Sequence, residues 1–500
     1  PERLNPILFV YGAARKALAA IKHGRLSPSP IQWVRKLRRY YQQLKANPNA
    51  AIANFNLTHL WQLQDPYQRW LDLNRLTPKL LARMREDAEK IKDIGVKISV
   101  VVPIYNTDEV FLKEMIQSVT SQIYPNWELC LADDASTKPH IQEILKKAAK
   151  SDSRIKVIFR SENGHIAEAT NSAIEIATGE YIGLLDHDDL LSADALLHVA
   201  ECIHKYPDLD WIYTDEDKID DRHYYDHQLK GDWSPEMMLT HNFTQHFTVL
   251  RKTLVDKVGR MRKGYEGAQD LDLFLRVSEH TTPAKVKHIS KVCYHWRCHT
   301  ESTASHGTQK RYIFDSAERG ISDAIARRGL KAKPFLPPIA EKNGWCLYQL
   351  KWDNSLLAEN TVTIVIPTRD KVELLEKCVE SLKRTVDPRY VKLIIVDDGS
   401  QESKTREYFQ KLEQERVLQC RVIPSGRTTE PFNYARLMNI GAKQVDTPYM
   451  LHLNNDIEAI APGWLEDMVG WMSVEGVAVV GAKLYYPDRT IQHAGVVIGP

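Results

Sequence analysis

Two stretches of this chain repeat one pattern, and that repetition limits the folds open to it more than any other feature. Val101-Val102-Pro103-Ile104 is a run of buried-strand character, and Leu129-Cys130-Leu131-Ala132 is a second that ends in the paired acids Asp133-Asp134. Val362-Thr363-Ile364-Val365-Ile366-Pro367 repeats the first run, and Leu393-Ile394-Ile395-Val396 with Asp397-Asp398 repeats the second. A repeat at about 265 residues predicts two similar domains, not one large fold. Between the first pair of strands, Val110, Phe111, Met115, Ile116 and Val119 recur at helical spacing from about Asp108 to Gln122. Strand, helix, strand then requires a parallel pair joined by a right-handed crossover. In such α/β sheets ligands bind beyond the carboxyl ends of the strands.

One turn at such an end carries chemistry. Leu184-Leu185-Asp186-His187-Asp188-Asp189 runs from an apolar strand into acids two residues apart. Carboxylates so spaced can face one hard cation such as Mn²⁺ or Mg²⁺, which prefers oxygen ligands and leaves positions for phosphate oxygens. A lone acidic turn is equally an Asx turn or a solvated corner. Here the turn shares its rim with Pro103 to Asn106 and with Asp133-Asp134, so three motifs converge on one edge of the sheet.

Taken in order, Val101 to Asn106, Leu131 to Ser136, Asn163-Gly164-His165 with Asn171, and Asp186-His187-Asp188 resemble the nucleotide-sugar half of the inverting family 2 glycosyltransferases of GT-A fold. Tyr213-Thr214-Asp215-Glu216-Asp217-Lys218, Gln269-Asp270-Leu271-Asp272-Leu273 and Tyr294-His295-Trp296-Arg297 are similar to the acceptor half, as in bacterial surface-polysaccharide transferases of O-antigen or capsule type. The resemblance spans roughly Lys97 to Arg311 and implies an α/β chain of two tandem, Rossmann-like, mostly parallel domains.

That resemblance implies roles. Pro103, Tyr105, Asn106, Asn163, Gly164, Asn171, Asp186 and His187 would contact a UDP- or dTDP-sugar donor, with Asp133 or Asp134 accepting from the base ring. Asp186, Asp188 and His295 would hold Mn²⁺ or Mg²⁺ as a Lewis acid on the diphosphate. Asp270 would be the general base that takes the acceptor hydroxyl proton. Its other reading is an N-cap before Leu271 to Val277, and the two are compatible. Asp215, Asp217, Gln269 and Trp296 would bind acceptor; the acids read equally as a solvated turn, Trp296 as core, and His295 as a packed, hydrogen-bonded residue.

In the second copy Pro367, Thr368, Arg369, Asp397, Asp398, Asn433, Asn439 and Asn455 fill the donor positions, and Asp456 is the metal candidate. Asn454 stands where the first copy has Asp186, and amides are weaker ligands for hard cations. Similar turns occur in relatives resembling rhamnosyltransferases. Asp270 lies 84 residues after Asp186, whereas the sequence stops about 45 residues after Asp456, so no counterpart base is identified. With Pro1 at its start, the sequence is expected to be a piece of a longer protein.

The expected organisation is a helical basic extension over 1–95, a first domain over 96–332, a linker over 333–360 and a second, incomplete domain over 361–500. Residues 1–50 hold ten Lys or Arg against one acid, interleaved with Phe9, Leu18, Ile21, Trp33 and Leu37. Such a segment suits an anionic membrane surface, where each basic residue contributes about 1 kcal/mol, or a packing or partner-binding extension. It carries no nucleic-acid-binding motif. No apolar run approaches a membrane span, and the expected location is cytoplasmic, peripheral on the inner face of the membrane, near a lipid-linked acceptor. The 7 Cys show no zinc spacing and read as reduced core thiols. A nicotinamide enzyme would want a Gly-rich turn after the first strand, and a P-loop enzyme its Gly-Lys signature; neither is present. The remaining alternative is a non-catalytic glycan-binding scaffold with degenerate transferase folds.

Overall fold

The computed structural model of the chain describes residues 66–92, 95–220, 223–298, 311–426 and 431–495. They fall into two compact units. One holds the residues up to Gly320 together with Pro338–Leu347, and the other holds Ile321–Pro337 and the residues from Tyr348 onward. The basic segment 1–50 lies outside the described residues. Of the expected N-terminal extension, two helices are described, Pro66–Asn74 and Pro78–Ile91, the latter capped by Thr77 through the Leu80 amide.

The first unit is built on nine strands: β1 (Ile98–Ile104), β2 (Trp127–Asp133), β3 (Ile155–Phe159), β4 (Tyr181–Leu184), β5 (Leu190–Leu191), β6 (Trp211–Asp220), β7 (His223–Gln228), β8 (Thr248–Arg251) and β9 (Val286–Arg297). They form one sheet in the order β3-β2-β1-β4-β8-β6-β9-β5, with β7 on β6. β1 to β4 are parallel, and β8 runs antiparallel to both β4 and β6. Every residue of β1 and β2 is buried, as expected for parallel strands covered on both faces. The helix between them is Glu109–Thr120, with Asp108 as N-cap accepting from the Val110 amide at 2.8 Å. Leu112, Met115, Ile116 and Val119 form its core face. Val110, expected on that face, is 56% exposed because it sits in the first turn.

At the opposite end of the strands from the acidic turn, Glu128 is fully enclosed and ties four segments together. Its carboxylate accepts from Ser99 Oγ (2.6 Å), Thr178 Oγ1 (2.9 Å) and the Gly179 amide (3.1 Å), with Lys97 and Lys156 Nζ each at 2.8 Å. Burial opposes the charge, but the lysines and hydrogen bonds hold this carboxyl far below the usual range.

In the second unit β10 (Ala332–Phe335) pairs antiparallel with β11 (Gln349–Trp352). β12 (Val362–Thr368), β13 (Val391–Asp397), β14 (Arg421–Pro424) and β15 (Tyr449–His452) form a parallel sheet in the order β14-β13-β12-β15, the order of β3-β2-β1-β4. The stretch 333–360, expected as a linker, is folded: it holds β11 and the helix Ser355–Glu359, while Pro338–Leu347 packs with the first unit.

The repeat extends to individual hydrogen bonds. Asn106 Oδ1 accepts from the Thr137 and Lys138 amides at 2.8 and 3.1 Å. Asp370 Oδ1 accepts from the Gln401 and Glu402 amides at 2.7 and 2.9 Å. Both residues lie in the left-handed region, at φ 49° and 50°, where Asn and Asp are tolerated best among residues with a Cβ. Asp133 and Asp397 each accept from the amide three residues on, in Ser136 and Ser400.

Candidate active site

The parallel strands deliver the predicted residues to a cavity of about 1110 Å³ in the first unit. Pro103, Tyr105 and Asn106 come from the end of β1, Asp134 from the end of β2, and Asn163 from the loop after β3. Asp186, His187 and Asp188 follow β4, Gln269 and Asp270 open the helix Gln269–Ser278, and Trp296 comes from β9. Pockets for drug-sized ligands run to roughly 1,000 Å³, so this one has room for a ligand of that size. The helix Arg311–Arg327 contributes Tyr312, Ile313 and Phe314 to its apolar wall.

Of the paired aspartates, only Asp134 faces the cavity. Its Oδ1 accepts from Arg160 Nε at 2.8 Å and the Gly164 amide at 2.9 Å. Asp133 instead closes its own turn onto Ser136. Gly164 contributes that backbone donor and does not line the cavity. Asn171 is likewise away from it: its amide exchanges two hydrogen bonds with the Met261 backbone, at 2.8 and 3.0 Å. Asn106 is at the rim, but its side-chain oxygen is spent on the brace described above.

Asp186 has its carboxyl raised above the usual range by its recessed position, with the like charge of Asp188 adding to the shift and His246 opposing it. Asp189 points inward, accepting from Tyr294 Oη at 2.5 Å and from the Arg297 amide at 2.7 Å. Arg297 Nε donates to the Asp188 carbonyl at 2.7 Å, so β9 grips the acidic turn from behind. Among the described residues no three His, Cys, Asp or Glu side chains converge to hold a cation by themselves. Asp186 and Asp188 both line the cavity, and two carboxylates are a donor set that Mg²⁺ uses when other oxygen ligands and water complete its shell.

Asp270 lies in the first turn of its helix, and the cap is Ala268, so the N-cap reading is corrected by two positions. Its Oδ2 accepts from Asn242 Nδ2 at 2.8 Å and its Oδ1 from the Leu271 amide at 2.9 Å. Burial pushes its carboxyl up, nearby Asp186 adds to this, and His246 opposes it. Asp272, two residues on, is a core residue bound to Arg276 Nη2 at 2.8 Å and to Arg262.

Three predicted residues belong elsewhere. Asp215 is buried and accepts from His288 Nε2 at 2.7 Å and the Lys230 amide at 2.8 Å. Asp217 is buried between Tyr67 Oη at 2.5 Å and His295 Nδ1 at 2.6 Å. Neither lines the cavity, nor does His295, whose ring is held by Asp217. These acids lie along β6, which is covered on both faces over this stretch, so Asp215, Glu216 and Asp217 are all buried. Glu216 serves the site indirectly. It accepts from the Nδ1 side of His246 at 3.1 Å and from the His246 amide, while Lys230 Nζ lies 3.4 Å away. His246, which sequence reasoning missed, lines the cavity with its Nε2 3.9 Å from Asp186 Oδ2. Burial works to lower its pKa, but Glu216, Asp186 and Asp189 outweigh that and raise it to about 9.

The model for glycosyl transferase family 2 matches residues 99–259 and again 363–496. The chain belongs to that family. A protein of Sinorhizobium fredii described as uncharacterized protein y4gI is 44% identical over 425 residues, 84% of this chain and 45% of the relative. The O-antigen biosynthesis protein RfbC of Myxococcus xanthus is 33% identical over 497 residues, 97% of this chain and 37% of the relative. The chain thus spans less than half the length of either curated relative. A crystal structure of S. aureus TarS 1–349 in complex with UDP-GlcNAc is similar at 21% identity and TM-score 0.39, over 46% of this chain and 66% of that one.

In the second unit of this family 2 chain, Asp398 is buried beside Ser425 Oγ (3.0 Å) and Arg436 Nη2 (3.3 Å). Asn433 caps the helix Tyr434–Ala442 through the Arg436 amide, and Asn455 donates to Thr368 Oγ1 at 2.9 Å. Asp397 accepts from Ser400, while Arg369, Asn439 and Asp456 are exposed and Pro367 ends buried in β12.

Proposed function

We propose that the first unit transfers a sugar from a nucleoside-diphosphate donor, UDP- or dTDP-linked, to a growing bacterial surface glycan on a lipid carrier, with inversion and with Mn²⁺ or Mg²⁺ bound. The observation that carries this reading is that Asp134, the Asp186–Asp188 turn and Asp270 line one cavity in a chain of family 2. Asp134, oriented by Arg160 and Gly164, would accept from the nucleotide base. Asp270, held at both oxygens, would take the acceptor proton as that oxygen attacks the anomeric carbon and the nucleoside diphosphate departs. Its raised pKa moves it toward working pH, where a general base is most effective. A cation on Asp186 and Asp188 would neutralise charge on the leaving diphosphate. The apolar wall and Trp296 would exclude water and stack the acceptor sugar.

The second unit would carry its own donor, through the turn Asn454-Asn455-Asp456, so that two units add different sugars. Among the described residues no helix is long and apolar enough to cross a membrane; contact with the cytoplasmic face through residues 1–50 is part of the proposal.

A thermal-shift titration of UDP, dTDP and GDP with and without Mn²⁺, on this chain and on Asp188→Ala, tests the reading. Metal-dependent stabilisation by one nucleotide, lost in the variant, supports it. No response to any nucleotide favours the scaffold alternative.

A further inference from the structure

Asp215 and Asp217, the acids of β6 assigned above to the acceptor, are buried against partners, and Glu216 between them is spent on one histidine. That histidine is over-determined. Its backbone amide and Nδ1 both face Glu216 Oε2. Lys230 Nζ donates to its carbonyl at 2.5 Å and lies within 3.4 Å of the same carboxylate. Its ring stacks on Tyr294, with centroids 4.6 Å apart and planes at 18°, and Trp296 stands tilted at 5.7 Å. Glu216 and Lys230 are themselves almost fully enclosed, at 4% and 5% side-chain exposure, and a buried ion pair of this kind carries a desolvation cost that its hydrogen bonds to His246 help to offset. With Nδ1 committed, the heteroatom left to face the cavity is Nε2, beside the acidic turn. Four residues earlier, Asn242 of the same segment holds Asp270. The segment 242–246 therefore reaches both the turn that would receive the diphosphate and the carboxylate that would receive the acceptor proton.

We propose that His246 Nε2 is a direct contact to the β-phosphate of the donor's nucleoside diphosphate, and that buried Glu216 is the positioning residue that fixes the ring for it. This rests on the reading of the first unit as a nucleotide-sugar transferase. A hydrogen bond to a phosphate oxygen is charge-assisted, and its loss from an enclosed site corresponds to roughly ten- to hundredfold in affinity.

The probes are nucleotides that differ only by the β-phosphate: UDP against UMP, and dTDP against dTMP, each with Mn²⁺, with affinities read by calorimetry. His246→Phe keeps the stacked ring and removes the donor. It is expected to weaken the diphosphate by roughly ten- to hundredfold while leaving the monophosphate within a factor of about two, so the ratio of the two affinities collapses. Glu216→Gln should lower the same ratio by a smaller factor, a change that loss of packing alone would not produce because it would act on both nucleotides. If His246→Phe does not fold, His246→Ala is measured with the same expectation. An unchanged ratio in a folded His246 variant overturns the proposal. Failure of the transferase reading is distinct: the unsubstituted chain would then bind none of the four nucleotides, and Asp134→Ala, expected to weaken both members of each pair, would have nothing to weaken.

Discussion

Replacing Asp270 by asparagine should separate chemistry from folding. The side chain keeps its shape but can no longer take a proton, and removing a positioned general base costs about 10²- to 10⁴-fold in rate, or about 3 to 5 kcal/mol of transition-state stabilisation. The effect on stability is small and partly opposite. Two donors converge on the carboxylate, Asn242 Nδ2 at 2.8 Å and the Leu271 amide at 2.9 Å, and an asparagine can satisfy one of them, a loss of about 1 kcal/mol. Against this, burial raises the Asp270 pKa, so the ionised side chain costs stability. That cost begins above the ordinary aspartate pKa of about 3.9, is complete above the raised folded value, and is absent at lower pH. The variant should thus unfold within about 1 kcal/mol of the parent at pH 7 and compare less well as pH falls toward 4. In the parent, the acid limb of kcat/KM should lie above the ordinary aspartate pKa, because the carboxylate form is the active one. Nucleoside diphosphate release from a donor panel across pH, beside urea unfolding at the same pH values, measures both. Turnover within tenfold of the parent, or an activity loss accompanied by several kcal/mol of destabilisation, would refute the assignment.

Other expectations follow from the same geometry. Asp188→Ala should abolish the Mn²⁺ dependence of nucleotide binding seen by thermal shift, and retained dependence would place the cation elsewhere. Glu128→Ala strands two lysines whose charges are partly screened by solvent, and a destabilisation of about 3 kcal/mol in urea is expected. Because the Glu128 pKa is depressed, its contribution is present above the ordinary glutamate pKa and fades as pH falls, so parent and variant should converge in acid. Gly183→Ala would set a Cβ 2.7 Å from the Phe247 ring, next to His246; about 1 to 3 kcal/mol of strain is expected, with a fall in diphosphate affinity that Gly179→Ala should not reproduce.

The parallel core and its repetition were legible because buried strands write themselves as unbroken β-branched runs and because paired acids mark their ends. The acidic turn, Asp134, Gln269, Asp270 and Trp296 reach the cavity as the motifs implied. Sequence could not say which of adjacent acids faces ligand, since that depends on the side chains packed around each: Asp133 turns into its own loop, and Asp215 and Asp217 are buried against His288 and His295. His246 and Asn242 were invisible for another reason. They lie in an irregular segment between Leu239 and β8, with neither periodicity nor spacing to mark them, and their roles arise from long-range contacts to Glu216 and Asp270. The motif at Tyr294 to Arg297 matters less through His295 than through Tyr294 and Arg297, which hold Asp189 and the Asp188 carbonyl.

Asn106 and Asp370 fold their loops with the same pair of amide bonds at nearly the same positive φ, so the brace itself is common to the two units. The match ends there: Lys371, the next residue, is also left-handed at φ 52° and caps the following helix, whereas in the first unit an extended Asp108 does so, and the two loops enter their helices differently. A brace made of two backbone amides and one side-chain oxygen asks nothing of the neighbouring side chains, so the strand end keeps its turn in both units while the residues around it are free to diverge.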